Sequence, residues 1–206
     1  MELSRSEFRA MNNPLRRFVQ KHIEFRILRA MKVAGEGQDI LEIGCGSGYG
    51  AVLLSSLRPR SYVGIDLMRE QVELAQRRDL PGASFAVIDA TDLGAFENES
   101  KDVVVIFGIL HHIPSWRCAL KETYRVLRTG GALYVEEPDG SLVRIFDQLF
   151  RFRHPDPALF GLDMLERELI GIGFSLSHRW RLAGFGFYGA IKHTPCGQES
   201  TDRWPS

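Results

Sequence analysis

A chain of 206 residues suits one domain and is long enough to bury most of the surface its unfolded form would expose. Lys and Arg total 26, as do Asp and Glu, so no net field draws the chain to nucleic acid or to an anionic membrane. Three cysteines (Cys45, Cys118, Cys196), no apolar leader and no run of membrane-spanning length point to a cytoplasmic protein without a disulfide scaffold.

The first element reads as a helix. Asn13 and Pro14 have the chemistry of an N-cap and a first helical position. Leu15, Phe18, Val19, Ile23, Ile27 and Met31 recur at three- and four-residue steps, which predicts one apolar face running to about Met31. Asp39-Ile40-Leu41-Glu42-Ile43 is then a short strand that runs straight into GCGSGYG, and residues 51–57 read as a helix stopped before Pro59. Strand, glycine loop and helix make the first half of a βα unit.

The alternation continues down the chain. A second strand (62–65) ends in Asp66, a helix covers 70–78, and a third strand (84–88) ends in Asp89. A fourth, 102–107, is almost wholly β-branched, as befits a strand buried on both faces of a parallel sheet. A helix over 115–128 with Gly130 at its stop precedes a fifth strand, 132–135, followed by Glu136. This succession predicts an α/β fold, a Rossmann-like doubly wound sheet of about seven strands, mostly parallel. In such sheets ligands sit beyond the carboxyl ends of the strands, where Asp66, Asp89 and Glu136 fall. After Pro138 come helices over about 140–152 and 162–172. The last runs, 174–182 and 185–192, resemble an antiparallel hairpin joined by a glycine-containing turn, ahead of a polar tail from Thr194.

The glycine loop excludes two nucleotide motifs. No Lys-Ser or Lys-Thr follows it, as a P-loop requires, and Tyr49 stands where the dinucleotide fingerprint needs its third glycine. What remains is acidic-x-Gly-x-Gly-x-Gly starting at Glu42, with Asp66 closing the next strand.

With these parts the chain resembles the class I S-adenosylmethionine-dependent methyltransferases, in particular the type 11 group that includes quinone-biosynthesis enzymes. DILEIGCGSGYG resembles the first motif of that family and YVGIDLMREQVELAQRR the second. FAVIDATDL, DVVVIFGILHHI and YRVLRTGGALYVEEP resemble the segments of the third, fourth and fifth strands, all in the family's order. The resemblance covers residues 38–137. It divides one domain, 1–206, into an N-terminal helical segment (1–35), a cofactor-binding core (38–137), a helical cover for the acceptor (139–173), a hairpin (174–193) and a tail (194–206).

The resemblance implies S-adenosylmethionine as cofactor and assigns its contacts. Gly44, Cys45, Gly46 and Gly48 would let backbone lie against the cofactor's ribose and amino-acid portions, with Glu42 holding the methionine end directly or through water. Asp66 would accept from both ribose hydroxyls, Leu67 and Met68 would flank the adenine, Asp89 would accept its exocyclic amine, Ala90 would offer a backbone N–H, and Phe107 would line the pocket. A strand-ending Asp also serves simply as a helix cap, and that rival holds for Asp66 and Asp89. His111 and His112 are the candidate general bases, though the pair can equally serve the loop's structure. Ile106, Phe107 and Gly108 stand where relatives often carry polar or acidic residues, which puts the acceptor chemistry in doubt.

No metal is expected: apart from the adjacent pair, which cannot easily both reach one ion, the histidines lack zinc-ligand spacing. The acceptor is read as a small, apolar molecule. Leu142, Val143, Ile145, Phe146, Leu149, Phe150 and Phe152, flanked by Arg144, Arg151 and Arg153, form either a buried helix face or a cover for it, and leave open contact with a membrane surface. The alternative function is a protein that binds S-adenosylmethionine without transferring a methyl group and acts as a regulatory or binding partner. Oligomeric state does not follow from the sequence.

Overall fold

The computed structural model describes residues 12–33, 35–150 and 154–193; Arg151, Phe152, Arg153, Cys196 and the tail from Thr194 lie outside them. Pro14–Val19 (α1) continues through a π-helical turn, Gln20–Glu24, into Phe25–Ala30 (α2). Then follow β1 (Asp39–Ile43), α3 (Tyr49–Leu54), β2 (Ser61–Asp66), α4 (Arg69–Gln76), β3 (Ala83–Val87) and β4 (Lys101–Phe107). The chain goes on through α5 (Trp116–Val126), β5 (Leu127–Pro138), α6 (Gly140–Phe150), α7 (Leu162–Ile172), β6 (Phe174–Leu182) and β7 (Phe185–Lys192).

The strands form one seven-stranded sheet in the order β3-β2-β1-β4-β5-β7-β6. Every pairing is parallel except those of β7, which runs antiparallel to both β5 and β6. The doubly wound expectation and its C-terminal hairpin therefore hold, with the hairpin's second strand inserted next to β5. Ala183 and Gly184, both at positive φ, turn the chain between its two strands.

Period-two alternation in the central strands decides which side chain reaches which face. Leu41, Ile43, Val104, Ile106, Leu133 and Val135 pack on one side with Trp116 and Leu120 of α5 and Leu165 and Leu169 of α7. Ile40, Val103, Val105, Phe107 and Tyr134 pack on the other with Phe25 and Leu28 of α2 and Ala51 and Leu54 of α3. The same alternation sends Glu42 and Glu136 toward the α1–α2 face and Glu137 toward the α5 face.

The structure differs from the sequence expectation at two elements. The N-terminal helix buries only the end of the stripe its periodicity marks: Met31 is buried and Val19 and Ile27 partly so, but Leu15, Phe18 and Ile23 are 69%, 58% and 42% exposed, while Gln20, Glu24, Phe25 and Leu28, outside the stripe, are buried. The π turn supplies the reason, since its extra residue rotates the helix face and turns two polar side chains inward. Further on, the fifth helix ends at Val126, and the paired Gly130 and Gly131 lie within an early-starting β5, whose register against β4 shifts between Lys101 and Val103.

Candidate active site

Two adjoining hollows open at the carboxyl ends of β1, β2 and β4. One, of about 220 Å³, is walled by Asp66, Leu67, Met68, Asp89, Ala90 and Ile113; the other, of about 60 Å³, by Arg16, Arg17, Gln20, Glu42, Gly46 and Phe107. Gly44, Asp66, Ile109 and His112 line both, so together they make one elongated cleft with Asp66 at its waist.

The three loop glycines do different work. A Cβ on Gly44 would lie 2.6 Å from the Ile109 side chain, and one on Gly48 would lie 2.9 Å from Ala75 Cβ on α4. Those two make room for the protein's own packing. Gly46, at φ +50, faces open space with no atom within 4 Å of the Cβ position, so it is the loop glycine left for a ligand to approach. Gly50 serves a third purpose: its missing Cβ leaves the room that the Glu42 carboxyl fills.

Asp66 closes β2 and ties the loop to the helix that follows. Its Oδ2 accepts the Gly46 N–H at 2.9 Å and its Oδ1 accepts the Met68 N–H at 2.9 Å. Burial raises its carboxyl above the usual range against those backbone donors. Leu67 beside it is 48% exposed, an apolar side chain held at the rim of the larger hollow. Asp89 Oδ1 accepts both the N–H and the hydroxyl of Thr91 at 2.8 Å, an Asx turn that leaves its other oxygen to the cleft.

At the narrow end Glu42 is fully buried, and Tyr62 donates its hydroxyl to Glu42 Oε2. Burial pushes the Glu42 carboxyl up to about 8, opposed by that hydrogen bond and by the charge of Arg16. Arg16 comes from α1, where it pairs with Glu24 Oε1 at 2.6 Å. Tyr49 stands between Arg17 and Arg78, each 5.9 Å from its ring centroid. In the sequence Arg16 and Arg17 read as basic residues of an amphipathic helix that could help cover an apolar acceptor; that they reach this end of the cleft is not legible there, because the π turn is invisible to a 3.6-residue period. Cys45 lines the narrower hollow as a buried residue, and burial pushes its thiol up, away from the reactive thiolate.

The neighbouring strand places a buried acid beside the apolar run 106–108. Gly108 leaves its Cβ position 3.2 Å from Glu136 Oε2, so β5 carries an acid where β4 has none. Glu137, which the sequence did not single out, accepts the N–H groups of Ile109 and Leu110 at 2.8 and 2.7 Å and meets His111 Nδ1 at 2.8 Å. Burial pushes this carboxyl up to about 8 and the His111 imidazole down to about 3, so both groups tend to neutrality. His112 lines the cleft, whereas His111 stands behind it. The fold also brings in His154, remote in sequence: its ring centroid lies 5.2 Å from that of His111 and 4.5 Å from that of His112. Its Nδ1 meets Asp147 Oδ1 at 2.5 Å.

Residues 41–135 match a family described as "Methyltransferase domain". The chain is 44% identical over 114 residues to phthiotriol/phenolphthiotriol dimycocerosates methyltransferase 1 of Mycobacterium ulcerans, a match covering 54% of this chain and 42% of that protein. It is 39% identical over 98 residues to a fatty-acid O-methyltransferase of Mycolicibacterium smegmatis, over 47% of this chain and 35% of the other. The chain thus spans under half the length of the curated relatives it matches. A SAM-dependent methyltransferase structure from Methanosarcina mazei superposes with a TM-score of 0.65 at 26% identity, covering 81% of this chain and 97% of that one.

Proposed function

We propose, on the family match of residues 41–135, that the chain is a class I S-adenosylmethionine-dependent methyltransferase of the type 11 group and that it methylates an oxygen of a small acceptor with a long apolar body. The observation that carries the reading is the cleft itself, with the open face of Gly46 and the Asp66 carboxyl at its waist. The residues fit the cofactor's chemistry end to end. Asp66 would take the ribose hydroxyls, and Leu67 with Met68 would flank the adenine. The second oxygen of Asp89 and the Ala90 N–H would meet the edge of the base. Asp66 favours the cationic end of the cofactor, Glu42 offers a carboxyl oxygen to its ammonium, and Arg16 and Arg17 face the carboxylate.

When bound, the sulfonium supplies an already activated methyl group. What is left to the chain is to align the acceptor oxygen in line with it and to keep water out. Gln20, Arg16 and Arg17 roof the methionine end, and Phe107 and Ile109 give it apolar walls. His111 is a poor resting place for the acceptor's proton, because burial holds its imidazole down to about 3. We assign His111 and His112 to shaping the acceptor end. In this reading residues 38–137 hold the cofactor and 139–173 cover the acceptor.

Two observations support an apolar acceptor. The relatives named above act on dimycocerosates and on a fatty acid. On α6 Val143 is buried, while Ile145 and Leu149 are 50% and 68% exposed, an apolar surface on the covering segment. Among the described residues no helix is long and apolar enough to cross a membrane, so contact with lipid would be peripheral. The balanced charge favours a small-molecule acceptor over nucleic acid.

The cofactor reading is tested by thermal unfolding with S-adenosylmethionine, S-adenosylhomocysteine and NAD. A ligand at about 100 times its Kd stabilises the fold by roughly 2.7 kcal/mol. The first two are expected to raise Tm; a rise with NAD alone would overturn the assignment.

A further inference from the structure

We infer that His111, His112 and His154 together bind one divalent first-row transition-metal ion of the zinc class at the acceptor end of the cleft. Each of the three offers a ring nitrogen, and these nitrogens lie within 4.8 Å of one another. Zinc–nitrogen bonds of about 2.0–2.1 Å set tetrahedral ligand nitrogens about 3.3 Å apart, a difference that small side-chain rotations span.

A second observation points independently to an ion. The rings of His111 and His154 each have Nδ1 against a carboxylate, Glu137 at 2.8 Å and Asp147 at 2.5 Å. Metal-binding histidines almost always hold their second nitrogen this way, which fixes the ring and strengthens Nε2 as a donor. Packing of three aromatic rings would not call for a carboxylate on two of them. The two carboxylates also come from separate places, β5 and α6, so the arrangement ties the covering helix to the end of the central strands. The His111, His112 and His154 side chains are nearly enclosed.

The donor set chooses the ion. Three imidazoles suit zinc, cobalt, nickel, copper or iron, and are foreign to magnesium and calcium, which take oxygen ligands. Three protein ligands leave one coordination position, and His112 lines both hollows of the cleft, so that position opens toward the proposed acceptor. An acceptor hydroxyl bound there would give up its proton to solvent more readily, supplying the activation that His111 cannot. That last role rests on the methyl-transfer reading; the metal site does not.

The test uses the tag-free full chain, stripped with chelator and desalted, without any methyl donor. Zn²⁺ is titrated by calorimetry and Co²⁺ by visible absorption. One equivalent is expected to bind, with cobalt giving the d–d bands of a low-coordinate nitrogen site. His154→Ala should abolish this binding, and Asp147→Asn, which keeps the ligands, should weaken it about 10–100-fold. His22→Ala, an exposed ring elsewhere, should leave it unchanged, and thermal unfolding checks that each variant is folded. The site is overturned if no saturable one-equivalent binding is seen, or if folded His154→Ala and Asp147→Asn bind zinc as the parent does. Because no methyl donor is present, that failure would leave the methyltransferase reading standing.

Discussion

Tyr62, from the second strand, donates its hydroxyl to the carboxyl of Glu42, from the first, with both side chains buried beneath the glycine loop. Burial favours the protonated form of this carboxyl and pushes Glu42 up to about 8, outweighing the opposing effects of the Tyr62 hydrogen bond and the Arg16 charge.

A pH dependence follows. The folded-state value lies above the unfolded one of about 4.5, so the contribution to stability is fully present below about 4.5 and is lost as pH rises through 8. Glu137 acts in the same direction, while His111, held down to about 3, acts oppositely only between about 3 and 6.5. The comparison is therefore made above pH 6.5. Glu42→Gln is expected to lose less Tm than the parent between pH 6.5 and 8.5; parallel curves would show that Glu42 is already ionised in the fold.

The loop glycines are expected to separate on substitution. Gly48→Ala brings a Cβ to 2.9 Å from Ala75 at φ +74 and should destabilise the fold by about 2–4 kcal/mol. Gly46→Ala meets nothing and carries only its backbone cost, about 1–2 kcal/mol, but fills the face left to the cofactor. Calorimetry should show S-adenosylmethionine affinity reduced more than tenfold in folded Gly46→Ala. Equal affinity in that variant would mean that the cofactor does not lie on this loop.

Asp66→Ala removes the acceptor for two backbone N–H groups, at Gly46 and Met68, and should cost about 1–3 kcal/mol of stability. If it also holds the ribose, affinity for S-adenosylmethionine should fall about 100-fold by titration calorimetry. A variant that is destabilised yet binds unchanged would make Asp66 a loop tie alone.

Most of this cleft could be read from the chain because it is built from local signals. The β-branched run 102–107, the acidic strand ends and the glycine loop each report their place through residue types a few positions apart. The remainder depends on geometry that has no local signature. The π turn at Gln20–Glu24 rotates Arg16 and Gln20 over the cleft, against the apolar period that the same helix displays. Gly44 and Gly48 read as ligand-facing, and Gly44 does line the cleft, but their missing side chains also make room for Ile109 and Ala75, partners chosen by tertiary packing. Glu137 and His154 could not be singled out either: one is a neighbour of an acid already noted, and the other arrives from the far side of α6.

The covering helix should govern acceptor length. Ile145→Ser with Leu149→Ser changes two exposed apolar positions on α6 and should leave Tm within about 0.5 kcal/mol equivalent. KM for a long-chain acceptor is expected to rise severalfold while that for a short-chain homologue stays the same. A uniform rise for both would place the apolar body of the acceptor elsewhere.

The most direct measurement is transfer itself. The full chain is incubated with methyl-labelled S-adenosylmethionine and, separately, with a long-chain fatty acid, a long-chain alcohol and a whole-cell lipid extract. The label is expected to enter the organic phase as a methyl ester or ether, at a rate reduced by Asp66→Ala. Tight binding of S-adenosylmethionine with no label in any lipid fraction would contradict lipid methylation and favour a protein that binds the cofactor without using it.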